Sequence, residues 1–523
     1  MKTTSIAAQP GPLPRALRPT FLAALLPVLF LFLTIQSGHA QHGSATWSSN
    51  PGDGNLWGSL VNWVPEVIPN GPEDTATFAN SSVTYVDFDI FNDFSITLDG
   101  IHFVAGADAF TIANYSASMF FEGAGVTNDS GVTQNFTTTG ASGESTYYFD
   151  GTSTAGTLTA YTMQGGSPGN SGNYGIVYFN DQSSAASGTF TLLGGNQTNR
   201  FGGEALCSSS STLDYATFTI NGGGNSAKGG LLSLANSSNA AQSNLIANGG
   251  TGGGAGGIIL FKDDSLGGTT RCELFGNGSL DLSQRSSPGI TIGSLEGDGL
   301  VFLGARNLTV GSNDLTTTFS GVIQDGGAGG GTGGSLTKLG RGILTLASAN
   351  TYTGGTIVSD GKLTVNNTTG SGTGTGPVQV LGGNLTGNGI IAGAVTVGGD
   401  NRTIAVLAPG SRQAATLTIQ GSLTFAISGN YDWSYIGNLR RVRFDQVLAN
   451  SVIINSGTGF NFFPRGTLQV GTVLTVINNT SASPIAGTFS NLADGAIIVT
   501  NGGKFQADYE GGDGNDLTLT VVP

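Results

Sequence analysis

Between Phe121 and Phe261 an apolar residue closes a short strand-like run six times, and each time mostly polar or small residues follow. The series is Phe121-Glu-Gly-Ala, Phe149-Asp-Gly-Thr, Phe179-Asn-Asp-Gln, Cys207-Ser-Ser-Ser, Leu234-Ala-Asn-Ser and Phe261-Lys-Asp-Asp, at spacings of 28, 30, 28, 27 and 27. A fixed period of this size marks stacked supersecondary units, each burying its apolar face only against its neighbours. A second run in the unit ends in paired glycines, as in Thr189–Gly195, Thr217–Gly223 and Asn244–Gly250. Short strands broken by glycines that accept positive φ predict an all-β chain, each unit one coil of a right-handed parallel β-helix. Equivalent positions then repeat every ~4.8 Å. Phe149, Phe179, Cys207, Leu234 and Phe261 are therefore expected to line up as one internal column.

The pattern changes along the chain. From residue 286 the unit shortens: Gly342-Ile-Leu-Thr-Leu, Gly361-Lys-Leu-Thr-Val and Gly383-Asn-Leu-Thr-Gly recur at offsets of 19 and 22. Strand alternation sends Leu and the following apolar residue inward and Thr outward. The glycine-rich 326–334 reads as a linker between the two repeat styles. Before the repeats, 41–110 carries Trp47, Trp57 and Trp63 around the turn Pro51-Gly-Asp-Gly54. Large aromatics suit a cap over the first apolar rung; the rival reading is a sugar-stacking platform. The resulting division is 1–40 signal, 41–110 cap and lead-in strands, 111–325 coils, 326–334 linker, 335–366 a distinct repeat and 367–523 further coils. At ~4.8 Å per coil, roughly 17–22 coils give a rod of roughly 80–105 Å.

Composition supports one extended array. Charged residues are 10% of the chain, against roughly 25% in typical globular proteins. Gly at 87 and Pro at 16 of 523 residues stay below the ~25–30% of low-complexity disorder. Lys2, Arg15 and Arg18 precede the uncharged stretch Phe21–Ile35, and Gly38 and Ala40 then favour cleavage before Gln41. That apolar core is 15 residues long, short of the ~20 needed to span a bilayer, and no later segment approaches that length. Its removal leaves 16 basic against 33 acidic residues. Nucleic acid and anionic membrane surfaces are poor partners for such a chain. With only Cys207 and Cys272, more than two coils apart, no disulfide is expected.

Ser335-Leu-Thr-Lys-Leu-Gly-Arg-Gly-Ile-Leu-Thr-Leu-Ala-Ser-Ala-Asn-Thr-Tyr-Thr-Gly-Gly-Thr-Ile-Val-Ser-Asp-Gly-Lys-Leu-Thr-Val365 resembles the autotransporter-associated β-strand repeat, with Asn350-Thr-Tyr-Thr-Gly-Gly355 its most specific part. Gly293-Ser-Leu-Glu-Gly-Asp-Gly and Phe319-Ser-Gly-Val-Ile-Gln-Asp325 give looser support, as does the terminal Gly511-Gly-Asp-Gly-Asn-Asp516. The resemblance implies a bacterial, exported, surface-associated β-helical passenger with no catalytic residues. A translocating barrel would need many ~10-residue alternating strands, whereas 361–523 continues in short Gly- and Thr-punctuated units. Other export machinery, or a periplasmic location, is then expected.

Candidate chemistry is sparse, and no catalytic, cofactor or metal site is expected. After signal removal only His42 and His102 remain, too few and too far apart for a triad or a histidine metal site. Asp87 and Asp89 share one face of Val86-Asp-Phe-Asp-Ile-Phe91, a spacing suited to acid/base carboxylates or to a solvated strand face. Asp263-Asp264 resembles the paired acids of a pectin hydrolase, without that family's Gly-His-Gly or Arg-x-Lys. Gly511–Asp516 matches the start of a calcium-binding nonapeptide but occurs once, so a turn before a last strand is preferred. Tyr431, Trp433 and Tyr435 alternate and precede Arg440, Arg441 and Arg443. Exposed, they would form a glycan- or protein-binding patch; inward, the aromatics are core while the arginines offset Asp432 and Asp445. The expectation is an exported, non-enzymatic structural or adhesin-like protein meeting extracellular glycans or surface proteins. The alternative is a carbohydrate-binding or polysaccharide-cleaving β-helix.

Overall fold

A computed structural model describes residues 42–88, 95–138, 145–166, 174–286, 288–399, 403–410, 414–438 and 440–523; the predicted signal, 1–40, lies outside the described residues. His42–Pro523 forms one unit. Its regular elements are strands, joined among the described residues by one short 3-10 turn, Leu60–Asn62. They wind a parallel β-solenoid of about 15 turns, roughly 70 Å of stack at ~4.8 Å per turn. The count falls below the expected 17–22 because chain leaves the winding at the C-terminal end. There Val473–Asn479 still pairs parallel with Gln446–Ala449 on one edge, but its other edge and the strands Ile497–Thr500, Gly503–Gly511 and Asp516–Val522 pair antiparallel.

The predicted column exists in register. Phe121 pairs with Phe149, Phe149 with Phe179, Phe179 with Cys207, Cys207 with Leu234, and Leu234 with Phe261. All six are buried and belong to a first, 13-stranded sheet. A second sheet faces it, and its ladder runs through Phe136, Tyr161, Phe190, Phe218 and Leu245. Within each column the rings stack: Phe149–Phe179 at 5.1 Å and 9°, Phe190–Phe218 at 4.4 Å and 7°. Across the core the columns meet edge-on, with Phe179–Phe190 at 5.6 Å and 78°. Both are favoured quadrupole geometries, worth about 0.5–1.5 kcal/mol per pair beyond area burial.

From Phe149 on, the polar run after each column residue is a turn with its own periodicity, whereas after Phe121 the strand Ser118–Asn128 continues. Two positions on, Gly151, Asp181, Ser209, Asn236 and Asp263 all take φ between 47° and 61°, where Gly, Asn and Asp are tolerated best. Four positions on, Ser153, Ser183, Ser211, Ser238 and Ser265 are all buried. Each donates its N–H to the carbonyl three residues back, at 3.0–3.2 Å. The Asp181 carboxylate accepts the Gly151 N–H at 3.1 Å, and Asp263 accepts that of Asn236 at 3.1 Å, tying turn to turn.

From Gly289 each coil gains a strand in a third sheet that runs to Val452–Ile454. The Leu-Thr repeats pair as their spacing predicts: Leu344 with Leu363, and Leu363 with Leu385. The motif residues at 335–365 are bonded between coils. Buried Asn350 accepts the Ile323 N–H at 2.8 Å and donates to the Gly372 carbonyl at 2.6 Å, linking three successive levels. Tyr352 is buried with its hydroxyl 2.6 Å from Thr356 Oγ1. A Cβ on Gly354 would sit 2.5 Å from the Gly334 carbonyl oxygen, so only glycine fits. Lys338 is buried, and its ammonium donates to the carbonyls of Leu339 at 2.6 Å and Gly340 at 2.7 Å. Burial lowers its pKa. The glycine-rich 326–334, expected as a linker, forms a loop within one stack. Asp281 receives the Ala328 N–H at 2.8 Å, Asp325 that of Gly334 at 3.0 Å, and Asn307 pairs with Ser335 across it.

Trp47, Trp57 and Trp63 are buried and packed edge-to-face, with Trp57–Trp63 at 4.8 Å, above Phe78 and Phe88. They seal the first rung and offer no exposed platform. Cys207 and Cys272 are buried free thiols in different sheets. Burial pushes both pKa values up, Cys272 to about 12.

Phe190→Ala is expected to cost about 3–5 kcal/mol, because rings on three sides lose their partner; equilibrium denaturation compared with wild type measures it. Both cysteines are expected to resist Ellman's reagent in the native protein and to titrate as two thiols in denaturant.

Candidate ligand groove

The strand Gly429–Asn438 carries the aromatic triplet, and its alternation decides what each side of the sheet presents. Tyr431, Trp433 and Tyr435 point inward and are fully buried. Their polar tips find internal acceptors: Tyr431 OH to Val476 O at 3.2 Å, Trp433 Nε1 to Asp445 O at 2.6 Å, Tyr435 OH to Gly466 O at 2.8 Å. Of the two readings of the triplet the core one holds, and Tyr431, Trp433 and Tyr435 are not ligand contacts. Arg440 is exposed on the turn that leads into Arg441–Phe444, its N–H bonded to Asn438 Oδ1 at 2.9 Å. Among the described residues no ion pair joins Arg440, Arg441 or Arg443 to Asp432 or Asp445.

The even positions of the same strand, Asp432 and Ser434, face a cavity of about 230 Å³ on the outer side of the second sheet. Lys362, Asn384 and Asp445 complete its polar lining, and Ala408 and Phe463 form its apolar wall. Lys362 and Asn384 are ladder partners on neighbouring strands. Asp432 pairs with Asn461, whose amide donates to the Asp432 carboxylate at 2.7 Å. Asp445 is 1% exposed. It accepts the N–H of Ala415 at 3.0 Å, the N–H of Ser434 at 3.0 Å and the Ser434 hydroxyl at 2.6 Å. Burial raises its pKa to about 6 against the pull of those donors.

A second hollow, about 200 Å³, adjoins the first and is lined by Thr364, Asn366, Thr386, Asn388, Gly410 and Ala415. Thr364 and Thr386 lie two residues beyond Lys362 and Asn384 on the same strands, their hydroxyls 2.9 Å apart. The two hollows make one polar groove along the outer face.

The other expected positions stand apart. Asp87 is half-buried in Tyr85–Phe88, beside Ala113, with its backbone bonded to Asn55 and Trp57; Asp89 lies outside the described residues. His102 is a sheet residue with Nε2 3.0 Å from Asp129. Gly511–Asp516 closes an antiparallel hairpin, as the turn reading expects, and buried Asp516 accepts the Asn479 N–H at 2.9 Å. One feature escaped sequence reasoning although its signal is plain: an aromatic immediately before the column residue, as Phe120, Tyr148 and Tyr178. These half-buried rings stack outside the first sheet at 4.4 and 4.7 Å, within 6° of parallel. Their faces cover one another, which makes them a brace between coils and not a sugar platform.

Two likenesses bear on this arrangement. Residues 336–365 match the family pattern of the passenger-associated-transport-repeat. A segment of 93 residues, 18% of the chain, is 34% identical to the adhesin BmaC autotransporter of Brucella suis biovar 1 (strain 1330); it spans 2% of that protein's length. The chain thus carries a repeat of the autotransporter-passenger type within a parallel β-solenoid, and the last strand of the matched repeat, Lys362–Val365, brings Lys362 and Thr364 to the groove.

The Asp445 carboxyl holds its proton more tightly when folded than when unfolded, so between the ordinary aspartate range and about pH 6 stability falls as pH rises. The loss is up to about 3 kcal/mol. Asp445→Asn is expected to flatten the slope of the denaturation midpoint between pH 4 and 6, read from urea titrations at stepped pH.

Proposed function

We propose that this protein is an exported, non-enzymatic, adhesin-like solenoid displayed at the bacterial surface. The observation that carries the reading is the passenger-type repeat at 336–365, built without interruption into the parallel stack. The adhesin named for the matched segment supports the same direction. A solenoid of this kind is a stiff spacer whose concave and flat outer faces meet other molecules. No helix among the described residues is long and apolar enough to cross a membrane.

Binding is favoured over cleavage by the state of the groove's carboxylates. General acid catalysis needs a proton within hydrogen-bond reach of the ligand. Asp445 lies at the buried floor of the cavity with both oxygens engaged by its own chain, and Asp432 is held by Asn461. The partners proposed are extracellular glycans or surface proteins; neither nucleic acid nor anionic lipid suits the charge balance.

Beads coated with the purified exported chain are expected to adhere saturably to glycan-bearing cell surfaces while releasing no reducing ends from polysaccharides. Protease shaving of intact producing cells is expected to degrade the protein. Absence of adhesion together with reducing-end release, or complete protection from shaving, would contradict the reading.

A further inference from the structure

We infer that the hairpin of Gly429–Asn438 and Arg441–Phe444, together with the end of the neighbouring strand Gly459–Arg465, is a docking face for a linear acidic polysaccharide. The inference deepens the adhesive reading by giving the displayed surface a ligand class, and rests on that reading only for where the polysaccharide is met.

Strand register assembles the face. Ile436 pairs antiparallel with Arg443 on one side and parallel with Arg465 on the other, so two exposed arginines flank an exposed isoleucine in a single row. Their Cα atoms are two strand spacings apart, ~9.6 Å. Arg441 stands two residues before Arg443 and so on the same side, ~6.8 Å along the strand, opposite Asn438. Arg440 is exposed on the connecting turn. A hollow of about 280 Å³ opens among Ile436, Asn438, Arg441 and Arg443. The reverse side of these strands is core: Tyr435 is buried, Val442, Phe444 and Phe462 pack against the interior, and the Trp433 and Phe462 rings lie 5.0 Å apart. At the turn, Asn438 Oδ1 accepts the N–H groups of Arg440 at 2.9 Å and Arg441 at 3.0 Å. The backbone that carries the arginines is therefore held in place before a ligand arrives, which lowers the cost of binding.

Charge sets what the face accepts. Residues 440–465 hold four arginines and one acidic residue, Asp445, which is buried. Among the described residues none of the four arginines makes an ion pair. A quarter of the 16 basic residues left after signal removal thus stand together without a counter-ion. Asp432 lies on the same side of its strand but four residues from Ile436, ~13 Å away, and is held by Asn461. At physiological salt the screening length is ~8 Å, so a ligand in contact meets these guanidinium groups more strongly than the distant carboxylates that make the chain acidic. Planar guanidinium forks take carboxylate and sulfate oxygens in pairs.

The spread of the arginines selects a polymer. A lone sulfate is far smaller than the face they span, whereas a chain with acidic groups repeated along its length meets all of them. One exposed apolar side chain, Ile436, is too little for the apolar centre of a protein interface. The aromatics on which nucleobases would stack, Tyr431, Trp433 and Tyr435, all point inward. Acidic sugar rings need neither.

The test is biolayer interferometry of the full exported chain on immobilised heparin and polygalacturonate, with dextran as the neutral comparison and polyglutamate as the polypeptide one. At least one acidic polysaccharide is expected to bind, more weakly as salt rises from ~0.15 to ~0.5 M, with dextran silent and polyglutamate at least tenfold weaker. Arg441→Gln, Arg443→Gln and Arg465→Gln are each expected to weaken binding about fivefold, and together roughly 100-fold. Arg341→Gln, the same charge change at an exposed bend elsewhere in the stack, leaves it unchanged. Circular dichroism checks the fold; a misfolded triple variant is replaced by Arg441→Gln/Arg443→Gln, with a loss of roughly 25-fold expected. No binding of either acidic polysaccharide, equal binding of polyglutamate, or wild-type binding in the folded arginine variants would each overturn the inference. Beads that adhere to cells although the chain binds no acidic polysaccharide would remove this face alone; polysaccharide binding without cell adhesion would remove the adhesive reading alone.

Discussion

Parallel stacking in register is the constraint on which everything else in this molecule depends. A coil of about 28 residues cannot close a core alone, and its apolar positions are buried only when the coils above and below present the same positions. That is why Phe121, Phe149 and Phe179 stack directly, and why Cys207 and Leu234 can substitute for them further along. Columns tolerate changes of identity but not of phase, because a slip by one residue would turn every inward side chain to solvent. The same rule extends to the polar turns, whose left-handed second residue and buried fourth serine repeat with the core. Polar bonds then lock neighbouring levels, Asn350 most completely, since its amide bridges three of them.

Much of this was legible in the sequence, and the boundary of legibility has a physical cause. The first column, Cys207 within it, the Leu-Thr ladders and the tryptophan cap each rest on a period or on a residue type with one comfortable environment. The groove does not. Tyr431-Asp-Trp-Ser-Tyr435 signals an amphipathic strand, yet alternation alone does not say which parity faces the core. The aromatics took the inside, and the outside fell to Asp432 and Ser434. Lys362 and Asn384, far away in sequence, line the same cavity only because successive coils place their strands in one ladder, three and two strands from Gly429–Asn438. The expected compensation of Asp445 by arginine was misplaced for a related reason. The fold answers that carboxylate with N–H groups of Ala415 and Ser434, which no sequence pattern marks.

The division of labour follows. The interior is uniform and apolar, so it specifies length and stiffness; the outer faces carry Thr, Asn and the few charges, so they specify contacts. The passenger-type repeat lies where both meet. Its Leu344, Leu346, Leu363 and Val365 continue the core, and its Lys362 and Thr364 open onto the groove.

The claim of in-register stacking is tested most directly by continuous-wave electron paramagnetic resonance with spin labels on Thr191→Cys and Thr219→Cys, outward positions that pair on adjacent coils. At strand spacing of ~4.8 Å the doubly labelled protein should show strong dipolar broadening, absent from either single variant. A doubly labelled spectrum equal to the sum of the two single ones would contradict the account.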